Sequence, residues 1–450
     1  MTRDPVVAQH AELHASIGAE EFAGLMARLA PFEPAPRIAV AVSGGADSLA
    51  LTLLLREWIG ARGGALVALT VDHRLRAESA TEVAFVARTL APLGLEHRIL
   101  RWRGSKPAAN VQAAARRARY DLLSRWCARR GLLHLALGHH LDDQAETLLL
   151  RLGRGSGLDG LAAMAPIAEL PSLRLLRPLI GVPKARLAAT LSARGLAWVE
   201  DPSNRDPTQA RARLRALMSD LAREGLTSAR LAAAAGHLGR ARAALELAVG
   251  RLLVGAVALH PAGFAWLDPA PLLAAPAEVG LRALARVLMT VGGAEYTPRL
   301  ERLERLYGRI SADLARGVTL GGCRIVPRRE RLLVVREVAG TREVPVRAGQ
   351  SLRWDGRFEV SVRRRARAGR LGLGALGGAG WAEARAAAPK LRESPIPAPA
   401  RAALPALRDA RGLLAVPHLG YERADSAGLG LKSCRFRPLR GLTTYAFTVA

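Results

Sequence analysis

The sequence predicts an α/β chain in three parts: a parallel-sheet domain over residues 1–215, a mainly helical domain over 216–341 and a small α+β domain over 342–450. Three observations carry that expectation. An apolar run, Arg37 to Val42, leads through a glycine turn into a helix-like stretch, Leu49 to Arg56. Short apolar runs then alternate with amphipathic stretches up to about Gly195, the pattern of a parallel sheet covered by helices on both faces. From about Ala216 the alternation stops and apolar residues recur at helical spacing.

The first turn is Ser43-Gly44-Gly45-Ala46-Asp47-Ser48. Two glycines let the backbone approach a ligand closely, and the following helix N-terminus adds roughly half a positive charge, so the turn is suited to phosphate. The hydroxyls of Ser43 and Ser48 add donors. Asp47 beside an anion implies an intervening cation, Mg²⁺. The competing reading is a plain strand-to-helix turn capped by Ser48. A Walker loop is excluded, because its pattern ends in Gly-Lys-Ser/Thr and none of the four lysines, Lys106, Lys184, Lys390 and Lys432, stands in that setting. Gly155 to Gly160 satisfies G-x-G-x-x-G but follows a helix-like segment, Asp142 to Leu152, and reads as a loop rather than a dinucleotide site.

A second strand, Ala65 to Val71, ends on Asp72-His73; a helix from Glu78 to Leu93 leads to a third strand near His97 to Trp102. An amphipathic helix begins near Asn110. The fourth strand, Leu132 to Leu137, runs into Gly138-His139-His140-Leu141-Asp142-Asp143. Ligands of open α/β sheets bind at the carboxyl ends of the strands, which groups Ser43 to Ser48, Asp72, His73 and His139 to Asp143 around one crevice. His139 and Asp143 are four apart and would share a helical face, as an acid/base pair or as metal ligands; alternatively His139 and Asp142 cap the helix. Leu217 to Val257 and Glu278 to Ile310 read as helices with interspersed arginines, among them Arg282, Arg286, Arg299, Arg302 and Arg305, and Val318 to Val335 as a short β segment. The last part holds the basic run Arg363-Arg364-Arg365-Ala366-Arg367, and Ala368 to Ala388 reads as a low-complexity loop.

Composition narrows the partners. The net charge is +27, from 66 basic and 39 acidic residues in 450, and favours a polyanion. All but four of the basic residues are arginine, in an Ala- and Gly-rich chain that a GC-rich genome would also produce. Three dispersed cysteines, Cys127, Cys323 and Cys434, offer neither a disulfide framework nor a paired metal or redox motif. No signal peptide or membrane span is expected, and the chain reads as cytoplasmic.

The hexapeptide Ser43 to Ser48 meets the SGGxDS signature of the PP-loop in N-type ATP pyrophosphatases. Asp72-His73 with Leu75-Arg76, Ala115-Arg116 with Arg119-Tyr120, and His139-His140 with Asp143-Gln144-Ala145-Glu146-Thr147 follow in order. So do Arg154-Gly155-Ser156-Gly157, Arg177-Pro178-Leu179, and Trp198 with Glu200 to Asn204. This set resembles the tRNA(Ile)-lysidine synthetases over the first 215 residues, and a weaker resemblance returns at Lys390 to Asp409. After Asp206 that family has an aromatic and then Arg-Asn, where this chain has Gln209 and Arg211-Ala212. The resemblance implies an N-terminal PP-loop ATP pyrophosphatase domain. It implies ATP as co-substrate with Mg²⁺, and free L-lysine and the CAU-anticodon tRNA(Ile) as partners. The wobble cytidine would be adenylated at its C2 oxygen and lysine would then displace AMP. Ser43, Gly44, Gly45, Ala46, Asp47, Ser48, Asp72 and His73 would bind ATP. His139 and Asp143 would serve proton transfer, with Asp47 and Asp143 alternatively holding the metal, and Arg211 would stabilise charge on the intermediate. A second copy of the chain, as a homodimer, is a further candidate partner. A PP-loop tRNA thiolase is the alternative, but it calls for paired cysteines.

Overall fold

The computed structural model describes residues 15–75, 79–104, 106–107, 109–170, 172–200, 206–364, 371–424 and 430–443. Arg76, Asp201 to Asn204 and Arg365 to Arg367, quoted above, lie outside these, as do the first residues of the low-complexity stretch. The chain divides into two compact units, the first reaching Ala243 and the second spanning Ala244–Tyr445.

The first unit is built on a six-stranded sheet: β1 (Arg37–Ala41), β2 (Ala65–Asp72), β3 (Glu96–Arg101), β4 (His134–Ala136), β5 (Ile167–Leu170) and β6 (Leu173–Leu176), in the order β3-β2-β1-β4-β6-β5. All neighbours are parallel except β5, which returns antiparallel on β6. That edge hairpin was not expected, because its two short strands leave no room for a helix between them. Period-two alternation sends Ile38, Val40 and Val42 to one apolar cluster and Ala39 and Ala41 to another, so both faces of β1 are buried as a central parallel strand requires.

The helices are α1 (Ala19–Ala27), α2 (Ala46–Gly60), α3 (Ser79–Leu90), α4 (Val111–Arg130), α5 (Leu141–Leu152), α6 (Leu158–Leu161), α7 (Lys184–Ser192) and α8 (Ala210–Arg223). Helix α2 begins three residues earlier than its apolar stretch suggests, since extended Gly45 caps it. It is apolar nearly all round because the sheet, α1 and α7 enclose it. Viewed from β1, the chain runs outward to β2 and β3, then crosses back to place β4 on the other side. The crevice between β1 and β4 is therefore the switch point at which α/β sheets bind ligands.

In the second unit, helices Ala277–Gly292 and Leu300–Ser311 pack on a five-stranded antiparallel sheet, β7 (Val257–His260), β8 (Phe264–Leu267), β9 (Val318–Leu320), β10 (Cys323–Arg328) and β11 (Arg331–Arg336), ordered β7-β8-β11-β10-β9. The expected helix over Leu217 to Val257 is two helices, α8 and Ser228–Ala256, parted at Gly225 with φ of 84°. The hairpin β7–β8 follows the second of these, and Gly263, at φ of 82°, makes its turn. Arg282 and Arg286 are engaged by Glu246, whereas Arg299 and Arg302 are exposed. Ala262, Phe264, Leu333 and Val335 share one core with Leu376, Leu404, Leu413 and Tyr421, so the expected break at 341/342 falls inside this unit. Gly377–Ala387, expected as loop, is a helix that buries Ala384.

Candidate active site

The turn after β1 is shaped by its own side chains. Gly44 has φ of 88°, where any side chain is strained, and a Cβ there would come 3.1 Å from Val86. Ser48 Oγ accepts from Ser43 N at 3.1 Å and donates to Gly45 O at 3.0 Å. Ser48 is the third helical residue rather than the cap, and its hydroxyl shapes the turn instead of facing the crevice. The β4–α5 turn is pressed against it: a Cβ on Gly138 would lie 2.9 Å from the carbonyl oxygen of Asp47.

Between the two turns lies a cavity of about 470 Å³. Of the residues expected to bind ATP, Ser43, Gly45, Asp47 and His73 line it; Gly44, Ala46 and Ser48 stand behind as backbone scaffold. Asp72 does not line it. Its Oδ1 accepts from Arg74 N at 3.0 Å and from Ser79 Oγ at 2.8 Å, which links the end of β2 to the first residue of α3 and, against the opposing effect of burial, holds the carboxyl below its usual range. His73 lines the cavity with its ring edge-on to Trp102 at 6.0 Å, and burial lowers its pKa.

His139, His140 and Asp143 all line the cavity. His139 precedes α5 instead of sharing a helical face with Asp143, because the helix starts at Leu141 and His140 is its cap. Burial, only partly offset by Asp143 and reinforced by Arg177, Arg116 and Arg119, pushes His139 down to about 3. Arg177 Nε donates to its Nδ1 at 3.3 Å, so the proton of the neutral ring sits on Nε2. That ring is a donor and a weak base. His140 goes the other way: burial is overcome by the carboxylates of Asp142, Asp47 and Asp143 beside its ring, and its pKa rises to about 10. This imidazolium lies 3.6 Å from both Asp47 and Asp143.

Asp143 Oδ2 accepts from His140 N at 3.2 Å, and its Oδ1 faces Arg211 at 3.9 Å and Arg215 at 4.0 Å. Arg211 also donates to Thr147 Oγ1 at 3.4 Å. Behind them Glu146, only 2% exposed, is gripped by Arg215 through Nε and Nη2. Glu146 and Arg215 escaped assignment from sequence, although Glu146 follows Asp143 by three and Arg215 follows Arg211 by four, the spacings that place residues on one helical face. Arg116, Arg119 and Lys184 complete the basic lining. With Arg211 and Arg215 they outnumber Asp47, Glu82 and Asp143, which makes the cavity receptive to polyphosphate.

Asp47 Oδ1 is buried with no hydrogen-bond partner among the described residues. An orphaned carboxylate oxygen beside a phosphate loop fits Mg²⁺, which takes one or two carboxylates and fills its shell with phosphate oxygens and water. Among the described residues no group of three or more His, Cys, Asp or Glu forms a dedicated cage. All three cysteines are free, and burial pushes each thiol up to about 12. Among the described residues no helix is long and apolar enough to cross a membrane.

A glycine phosphate turn at the switch point of this sheet defines a PP-loop domain, and the PP-loop domain family model matches residues 18–221. The tRNA(Ile)-lysidine synthase of Bradyrhizobium sp. (strain BTAi1 / ATCC BAA-1182) is 45% identical over 321 residues, covering 69% of this chain and 88% of its own. That of Ruegeria pomeroyi is 40% identical over 76% of this chain and 81% of its own, and that of Methylobacterium sp. (strain 4-46) 47% identical over 67% and 89%. The chain belongs to the tRNA(Ile)-lysidine synthase family. A solved U34-tRNA thiolase, NcsA from Methanococcus maripaludis, aligns at TM-score 0.42 and 18% identity, over 49% of this chain and 80% of its own.

Proposed function

We propose that this chain ligates free lysine to C2 of the wobble cytidine in tRNA(Ile) with a CAU anticodon, using ATP and releasing AMP and pyrophosphate. The product is lysidine, and the tRNA carrying it reads AUA. The observation that carries the reading is a phosphate turn opening onto the same cavity as a cluster of carboxylates and arginines, Asp47, Asp143, Arg211 and Arg215.

Adenylation comes first, because the C2 oxygen is a poor leaving group until it carries AMP. The cytidine oxygen attacks the α-phosphorus of ATP and the bond to pyrophosphate breaks. The N–H groups from Gly44 to Asp47, at the N-terminus of α2, receive the departing pyrophosphate. Mg²⁺, held by Asp47, would neutralise phosphate charge. Arg211 and Arg215 stabilise the adenylate's phosphate, and His139 donates from Nε2.

Lysine then attacks C2. Its ammonium, pKa about 10.4, is neutral in only about one molecule in 2,500 at pH 7, so the site must remove a proton. His139 is too weakly basic for that task, which leaves Asp143, with Glu146 adding negative charge behind it. The nitrogen–C2 bond forms, the C2–oxygen bond breaks, and AMP leaves with the electron pair.

Basic surface beyond the cavity supports assigning the later residues to tRNA phosphates, over 216–341 and 342–450. Arg299, the cap of helix Leu300–Ser311, and Arg302 in its first turn are exposed, and Arg363, Arg364 and Lys432 line a cavity of about 560 Å³ with Ser351 and Ser361. The thiolase alternative is disfavoured by three protonated, dispersed thiols. The test is stoichiometry: pyrophosphate release should require tRNA but not lysine, while AMP release should require both. Lysine-dependent pyrophosphate release without tRNA would point to another acceptor.

A further inference from the structure

A second cavity, of about 500 Å³, adjoins the first and shares its wall of Arg116, Arg211 and Arg215. Its other polar lining is Gln112, Arg154 and Gln209, and the remainder is Leu150 and alanines. Four arginines therefore line one space that no carboxylate lines among the described residues, Arg211 and Arg215 also meeting Asp143 and Glu146 on their other side. Arg154 stands out, because it is exposed and has no hydrogen-bond or ion-pair partner for its guanidinium among the described residues. It is carried by the turn that ends α5, where Gly155, at φ of 67°, reverses the chain and Ser156 N donates to Arg151 O at 3.0 Å. The glycine-rich stretch that imitates a dinucleotide motif thus has a different use, presenting Arg154 beside α8.

We propose that this second cavity is a phosphodiester subsite, which seats the RNA backbone next to the nucleotide reacting in the first cavity. The inference rests on the tRNA substrate argued above and adds where the strand adjoining the reacting base lies. Charge chooses between the two anions at hand. Free lysine would bring its carboxylate together with an α-ammonium, and a space with four guanidiniums and no carboxylate repels the ammonium. A phosphodiester brings only negative charge, and arginine's planar fork matches its oxygens. The Gln112 amide, donor and acceptor at once, suits the ribose hydroxyl that accompanies each phosphate in RNA. The residues that depart from the family pattern, Gln209 and Ala212, both line this cavity, so an amide is present at 209 where the family has one at 212.

The test uses the full chain with Arg154→Ala and Arg154→Lys, measuring tRNA affinity against salt, ATP affinity and the KM for lysine. Removing one phosphate contact should weaken tRNA binding and lower the salt slope by about 0.7–0.9, with ATP affinity unchanged. Arg154→Lys keeps the charge and should keep the slope. Unchanged tRNA affinity and slope in Arg154→Ala would overturn the subsite. A raised lysine KM with unchanged tRNA binding would overturn it too, by giving the space to the amino acid. If the slope falls but the wild-type chain transfers no lysine to RNA, the subsite stands and the lysidine reading fails.

Discussion

Replacing Asp47 by alanine removes the buried oxygen that has no hydrogen-bond partner among the described residues and takes away one neighbour of the His140 imidazolium. ATP-dependent pyrophosphate release should fall about a hundredfold or more, with tRNA affinity nearly unchanged, because Asp47 lies among phosphate-binding groups and not on basic surface. Pyrophosphate release and filter binding check the two halves. Asp143→Asn should accumulate adenylated tRNA without the lysine adduct, since the amine would lack its proton acceptor, and loss of adenylation itself would assign Asp143 to the metal. His139→Gln, which preserves a donor, should retain more turnover than His139→Ala. The protonated His140 sets a pH dependence. Its folded pKa, about 10, exceeds the unfolded value of about 6.5, so its contribution to stability is complete below pH 6.5 and is lost as pH rises towards 10. The Tm advantage of wild type over His140→Gln should shrink across that window, and parallel curves would refute the charged state. Sequence placed both histidines at the crevice. It could not reveal their opposite charge states, which depend on burial and on Arg177 and Asp142, distant or ambiguous in the chain.

The two turns that meet at the switch point act as one element. Gly138 is required by contact, because a Cβ there would press 2.9 Å from Asp47 O, while Gly153 at the end of α5 would place one at an ordinary 3.5 Å from Leu149 O. Gly138→Ala should therefore shift the phosphate turn and cut kcat by about a hundredfold, with Gly153→Ala as a near-neutral control. Equal kinetics in the two variants would show that the turns move independently. The strand–turn–helix signal was legible because two buried faces of β1 and two glycines leave a strong local pattern. The β5–β6 hairpin and β7–β8 were not, being four-residue strands whose pairing is decided by tertiary contacts and not by periodicity. Helix spacing alone would have recovered Glu146 and Arg215, had the i+3 and i+4 partners of Asp143 and Arg211 been followed.

Across the whole chain, the +27 charge divides between structure and substrate. Arg336 and Arg357 are buried on Asp355, and Arg282 and Arg286 are half-buried and paired with Glu246, so part of the excess is engaged within the fold. The exposed remainder should make tRNA affinity fall log-linearly with salt, with a slope of roughly −0.7 to −0.9 per phosphate contact; a flat response would remove the surface from tRNA binding. The charge was visible in the composition, but which arginines remain free depends on carboxylates brought from elsewhere in the fold. The most direct measurement incubates the full chain with ATP, labelled lysine and CAU-anticodon tRNA(Ile), then identifies the nucleoside at the wobble position by mass. A cytidine bearing lysine at C2 in place of its oxygen, with one AMP and one pyrophosphate formed per adduct, is the predicted result. A thiolated base, or an unchanged cytidine while ATP is consumed, would contradict the assignment.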